Sequence, residues 1–214
     1  MGAVTALLAV LGSADAKSIR LRNEIISPPP ARPQTRAVSV TPVAAAPTGL
    51  SLVQFTGPPR AEWRQHLETL GVELLRYVPD DTFVADLNDV PADQLRQLDF
   101  VAWVGPYRPE HKLHRDLRAV ASRTTAPSPS PNTPAEPIEV SLLLSPRAKP
   151  QDATAVRDSL QQIQQESKLR SGTVLRGKVD PAQLSGLAES RAVLWIEPAP
   201  RMKLFDEVSS KIVA

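Results

Sequence analysis

Apolar positions in this chain fall into two runs of short periodic patterns, each bounded by proline-rich sequence. LSLVQFTG (50–57) has the composition of a strand. In PPRAEWRQHLETLG (58–71) the period changes: Trp63, Leu67 and Leu70 stand at i, i+4 and i+7. That spacing predicts a helix that opens after Pro58-Pro59 and closes at Gly71. VELLRYVP (72–79) and DTFVADLN (81–88) predict two strands about a tight turn, with Asp80-Asp81 as a solvated like-charge pair. PADQLRQLD (91–99) predicts a short helix with Pro91 in its first turn, and FVAWVGPY (100–107) a closing strand. The order is β-α-β-β-α-β.

A second run repeats that order. IEVSLLLS (138–145) predicts a strand, and PQDATAVRDSLQQIQQ (150–165) a helix with Ala153, Val156, Leu160 and Ile163 on one face. ESKLRSGTVLRGKV (166–179) holds one clear strand, TVLRGKV, and a weaker one before it. Asp180-Pro181 supplies an N-cap and a first-turn proline for AQLSGLAES, and AVLWIEP (192–198) closes the unit. Val101-Ala102-Trp103-Val104-Gly105-Pro106 also matches Val193-Leu194-Trp195-Ile196-Glu197-Pro198. Each is preceded by a helix opening Pro-Ala and followed by a Lys-Leu pair, Lys112-Leu113 or Lys203-Leu204. The fold expected is α+β, with two tandem ferredoxin-like sandwiches.

A sheet with helices on one face and water on the other alternates apolar with polar residues. The closing strands do not. Strict alternation puts Val101 with Trp103 against Ala102 with Val104, and Val193 with Trp195 against Leu194 with Ile196, so both faces carry apolar groups. Either the face away from the helices docks on another protein or domain, or the two units pack sheet to sheet.

Composition adds boundaries. Half of the 22 prolines fall in residues 17–48 and 120–137, which read as a leader and a semi-extended spacer around units at 49–119 and 138–205. Aromatic residues are 4% of the chain, so the cores are built mainly from Leu, Val, Ile and Ala. A sequence pI near 9.1 invites a nucleic-acid reading. The basic excess, however, lies in the leader, where Lys17, Arg20, Arg22, Arg32 and Arg36 are opposed only by Glu24. The rest of the chain is close to neutral, so no nucleic-acid partner is expected, although this topology also serves RNA recognition.

Residues 3–11 (AVTALLAVL) form a short apolar run that ends in Gly12-Ser13 and Ala14-Asp15-Ala16. Small residues at minus three and minus one, Ala14 and Ala16, predict a signal peptide (1–16) cut after Ala16, and hence a secreted protein. The other reading is a buried N-terminal helix or strand. Nine apolar residues do not span a bilayer, and no later segment is long enough.

Candidate chemistry is sparse. With no cysteine there is no thiol catalysis and no cysteine-ligated metal. His66 sits on the first predicted helix among Trp63, Leu67 and Leu70 and reads as a boundary residue. His111 and His114 have i, i+3 spacing but no third ligand at recognisable spacing, so no metal or other cofactor is expected. No G-x-S-x-G elbow or phosphate-cradling glycine loop occurs. No catalytic residue is assigned, and the chain is not expected to be an enzyme.

The segment SLVQFTGPPRAEWRQHLETLGVELLRYVPDDTFVADL, closing in FVAWVGPYRPEHKL, resembles the N-terminal pro-region of large bacterial subtilisin-like serine peptidases. The ending WIEPAPRMKLFDEVSSKIVA resembles the junction of such a pro-region with the mature enzyme. The resemblance covers roughly residues 50–214. It implies an intramolecular chaperone and inhibitor whose partner is a subtilisin-like peptidase domain, in cis or, for a free-standing inhibitor, in trans. It also implies a sheet that docks on the enzyme and a tail that lies in its cleft. Met202, Lys203, Leu204 and Phe205 would occupy the cleft, with processing between Phe205 and Asp206 and a junction at 206–214. The competing place for Phe205 is the second unit's own core. Motifs carrying the catalytic Asp, His and Ser of that family are absent from the chain, which reads as part of a longer precursor.

Overall fold

The computed structural model describes residues 16–29, 49–124 and 136–199. The fold is α+β, and the chain divides into two compact units, residues 1–107 and 108–214.

In the first unit the order is β3 (Leu50–Phe55), α1 (Ala61–Thr69), β4 (Glu73–Val78), β5 (Thr82–Asp86), α2 (Ala92–Arg96) and β6 (Val101–Pro106). The strands pair in the order β4-β5-β3-β6, with every neighbouring pair antiparallel. α1 ends where Gly71 supplies φ +97°. Val72 N–H then reaches back to Leu67 O, and Gly71 N–H to Glu68 O, a Schellman closure that satisfies two terminal carbonyls. The predicted helix face holds. Leu67 is fully buried, and Trp63 stacks on Phe55 and Phe100 at centroid distances of 6.0 and 5.5 Å. Full burial of Phe55 contributes roughly 1.5–3 kcal/mol.

A two-stranded hairpin precedes this sheet: β1 (Ile19–Arg20) pairs with β2 (Ile25–Ile26), closed by Leu21 N–H to Glu24 O. The composition of residues 17–48 predicts a leader, but residues 16–29 belong to the first unit, with Ile19 fully buried. Composition fails here because Ile19-Arg20-Leu21-Arg22 alternates like a strand before the prolines begin.

The second unit runs β7 (Ile138–Leu144), α5 (Pro150–Asp158), β8 (Gln162–Leu169), β9 (Gly172–Val179), a 3-10 turn (Pro181–Gln183), α6 (Leu184–Glu189) and β10 (Val193–Pro198). Its sheet order, β10-β7-β9-β8, is again antiparallel throughout. The Asp180 side chain caps the turn by accepting from Ala182 N–H at 2.9 Å. The helix expected over 150–165 stops at Asp158. Ser159 caps it, and Gln161 N–H turns to Lys178 O. Gln162–Leu169 then pairs with β9, so Ile163 is a half-exposed strand residue rather than part of the helix face. Good helix formers such as Gln and Glu take strand geometry because a partner strand is present.

Residues 108–124 also differ from the expected boundary at 119. α3 (Pro109–Lys112) and α4 (Arg115–Thr124) belong to the second unit. Leu113, Leu117 and Ala121, one helical turn apart, join the core formed by Val140, Leu142, Leu175, Leu184 and Ile196. His114 N–H donates to Ile196 O, and Leu113 bridges Ile196, so this segment runs along the outer edge of β10.

Both closing strands break strict alternation in the same way. A bulge shifts register between Val101 and Trp103, and another between Val193 and Trp195. One extra residue changes the parity beyond it. Val101 and Val104 therefore share the helix-side core of the first unit, and Val193 and Ile196 that of the second. The pairing of Val101 with Trp103, and of Val193 with Trp195, on one face is corrected accordingly.

Candidate protein-docking site

The surfaces that could meet a partner are the sheet faces turned away from the helices. In the first unit, Val53, Phe55 and Ala85 point to the helices, which leaves Leu50, Leu52, Gln54, Thr82, Val84 and Trp103 on the other face by register. Leu50, Leu52, Gln54, Thr82 and Val84 are nonetheless buried. Residues 17–24 run at this face. Gln54 Nε2, on the centre strand, donates to Lys17 O at 2.9 Å. Tyr107, at its margin, is buried with Arg22 and Arg76 charges nearby, and burial pushes its hydroxyl pKa far up.

The segment is fastened at the β4–β5 turn. Asp80 and Asp81 take left-handed φ values of 66° and 58°, which Asp tolerates better than most residues. Lys17 Nζ donates to Asp81 Oδ2 at 2.9 Å. Arg20 makes a fork to Asp80, Nε to Oδ2 and Nη2 to Oδ1 at 3.0 Å each, and its backbone N–H adds a bond to Oδ2. The Arg20 hydrogen bonds hold the Asp80 carboxyl below its ordinary range, and Asp81 raises the Lys17 ammonium. The turn that sequence reads as solvated is an ion-paired anchor. A clear signal for it is two cations three residues apart, Lys17 and Arg20, matching two adjacent carboxylates. Gln54 Nε2 also donates to Asp80 O, while its buried Oε1 has no donor among the described residues. An orphaned buried acceptor costs about 1–3 kcal/mol.

In the second unit the equivalent face carries Glu139, Ser141, Leu143, Val174, Arg176, Lys178 and Glu197 by register. Leu143 and Val174, near one end of the two central strands, are only half-buried. Toward the other end stand Arg176 near Glu139 at 3.9 Å, Lys178, and Glu197, which accepts from Trp195 Nε1–H at 2.8 Å. At the end where β10 leaves the sheet, a cavity of about 540 Å³ is lined by Glu136, Pro137, Ile138, Glu139, Lys178 and Ala199. The β8 edge is exposed along almost its whole length, with Leu169 56% exposed. Glu166 on β8 pairs with Arg157 at 2.7 Å, and that bond depresses its pKa.

The histidines serve local structure. His66 is exposed, its ring edge-on to Phe100 at 5.7 Å. His111 Nδ1 accepts from Arg108 N–H, and His114 Nδ1 from Asp116 N–H. Among the described residues no three His, Asp or Glu side chains gather as a metal would need, and no helix is long and apolar enough to cross a membrane. Lys112, which the sequence marks only as part of the repeated Lys-Leu pair, is fully buried. Its Nζ donates to Ser190 O at 2.7 Å, and burial lowers its pKa to about 7. Ala14, Met202, Lys203, Leu204, Phe205 and Asp206 lie outside the described residues; Ala16, half-buried, is the first of them.

Residues 20–108 match the model of a family described as a domain of unknown function, DUF8729. The match begins within β1 and ends at the boundary of the first unit, so all of the β1–β2 hairpin but Ile19 lies inside the matched stretch. No curated protein and no solved structure matches the chain.

Proposed function

We propose that the chain is the non-catalytic pro-region of a secreted subtilisin-like serine peptidase, two tandem ferredoxin-like sandwiches that assist folding of the peptidase and block its cleft. The observation that carries this reading is the repeated sheet order. With strands numbered within each unit, both sheets run 4-1-3-2, with one helix after the first strand and one after the third. The repeated order supports the tandem-sandwich reading of the β-α-β-β-α-β pattern, and through it the resemblance. The two units differ in what is left for a partner. In the first, the chain's own residues 17–24 lie at the face away from the helices. In the second, that face keeps half-buried Leu143 and Val174 near one end and Glu139, Arg176, Lys178 and Glu197 toward the other, and β10 continues from it into residues 200–214. We assign docking to the second unit and cleft occupation to Met202–Phe205. Edge pairing of a tail with apolar side chains in pockets is an established way to fill a protease cleft.

The test is inhibition of the cognate peptidase by the full chain, with and without Phe205→Asp. A charge in an apolar specificity pocket has no partner, so inhibition should fall at least tenfold with the circular dichroism spectrum unchanged. Equal inhibition by both chains removes Phe205 from the cleft. Unfolding of the variant returns Phe205 to the second unit's core.

A further inference from the structure

The junction of residues 16–20 with the Asp80–Asp81 turn holds more acceptors than the groups around it satisfy. Gln54 is completely buried, and its Nε2 is committed to two carbonyls, Lys17 O and Asp80 O. Its Oε1 is equally buried and has no donor among the described residues. Beside it stand two carboxylates in adjacent left-handed residues, each holding one side-chain cation from the same short segment. Gln54 holds the carbonyl of Lys17 through the same side-chain amide that carries the orphaned oxygen, so the nitrogen of Lys17 belongs to the residue bound there. An amide nitrogen there has one proton and no charge. An ammonium has three protons and a full charge, which suits a neutral carbonyl flanked by carboxylates.

We propose that this junction is an ammonium site for the chain's own mature N-terminus: the α-ammonium of Lys17 donates to Gln54 Oε1 and to the Asp80–Asp81 carboxylates, and so fastens residues 17–29 to the first sheet. The choice of Lys17 rests on the export reading, in which the chain is cut after Ala16. A processing peptidase that hydrolyses the Ala16–Lys17 amide breaks its C–N bond and adds the oxygen of water to the Ala16 carbonyl. Ala16 leaves as a carboxylate, and the Lys17 nitrogen becomes the ammonium. Removal of the upstream segment and locking of the first unit are then one event. The charged and titratable groups that face the site are Asp80 and Asp81 from the β4–β5 turn, Tyr77 from β4, and the Lys17 and Arg20 side chains of the segment itself.

The experiment compares two purified full-length chains, one beginning at Lys17 and one at Ala14. At pH 6 the Lys17-first chain should melt several degrees higher. At pH 10, with the α-amine neutral, the margin should close. Gln54→Leu should close it at pH 6 as well. In the unmutated Lys17-first chain, the α-amine should titrate above its ordinary range of about 7.7–8.0, which decides the matter even where Gln54→Leu does not fold. Equal melting at pH 6, a margin that persists at pH 10, or an α-amine that titrates in the ordinary range overturns the site. N-terminal sequencing of exported protein tests the cut separately. A start other than Lys17 removes the export reading and the site's biological use, while the melting and titration results still decide whether the site binds an ammonium.

Discussion

Lys112 gives the sharpest energetic prediction, because the cost of its burial and its bond to Ser190 can be set against each other. The side chain is fully buried on α3, its Nζ 2.7 Å from the carbonyl of Ser190 at the C-cap of α6. Burial brings its pKa from 10.5 down to about 7. The unfolded chain therefore keeps this proton up to about pH 10.5 while the folded chain gives it up near 7. Between those values the unfolded state binds more protons, so stability rises with pH, and below about 7 the slope disappears. At about 1.4 kcal/mol per pKa unit, the window is worth on the order of a few kcal/mol. Lys112→Met removes that penalty but leaves the Ser190 carbonyl without its ammonium donor, which costs about 1–3 kcal/mol. The two terms cross. At pH 7 the Met variant should be at least as stable as the parent, and at pH 10 it should be less stable. Urea unfolding at both pH values, followed by circular dichroism, reads the difference, with Lys178→Met as the half-exposed control. A constant difference between Lys112→Met and parent across pH 7–10 would refute the argument.

Two further substitutions test the backbone geometry. At Gly172, φ is +133°, and an added Cβ would run into the carbonyl oxygen of Leu144 across the β7–β9 pair. Gly172→Ala should cost about 2–4 kcal/mol in chemical denaturation, whereas Gly57→Ala, with nothing within 4 Å, should stay within about 0.5 kcal/mol of the parent. Gly105 lies directly under the Trp103 indole, so Gly105→Ala should displace the ring, shift its fluorescence and destabilise the first unit by about 1–3 kcal/mol.

Much of the fold is legible because local signals agree with tertiary pairing. Gly71 ends α1 as its position suggests, Asp180 caps the turn before α6, and seven of the eight strands of the two sheets fall where apolar runs meet turn residues. The failures have separate physical causes. Gln162–Leu169 has helical composition, and its strand state is set by hydrogen bonds to β9 that no local window contains. The bulges in β6 and β10 reverse face assignments because period-two counting assumes no inserted residue. Residues 17–22 carry a strand pattern that the prolines after them mask in any compositional average. Their partners, Asp80 and Asp81, lie some sixty positions away. The docking surface is the least legible part, since register alone decides which of Leu143 and Leu142 faces the helices.

The two closing strands show how one motif yields two surfaces. Each places a bulge before the tryptophan and so turns the indole away from the helices. In the first unit the residue two positions later is Gly105, and the missing Cβ lets the Trp103 ring lie flat on the strand. In the second it is Glu197, whose carboxylate takes the indole N–H of Trp195, a ring that is buried with His114 edge-on at 6.4 Å. A flat ring beside Leu52 and Gln54 suits a face with residues 17–24 of the same chain beside it. Trp195 is held from two sides, by the Glu197 carboxylate and by the His114 ring, and is buried where Trp103 is half-buried. One motif thus yields two surfaces, a half-buried indole lying over Gly105 and a buried one hydrogen-bonded to Glu197, through the single exchange of Gly for Glu after the tryptophan.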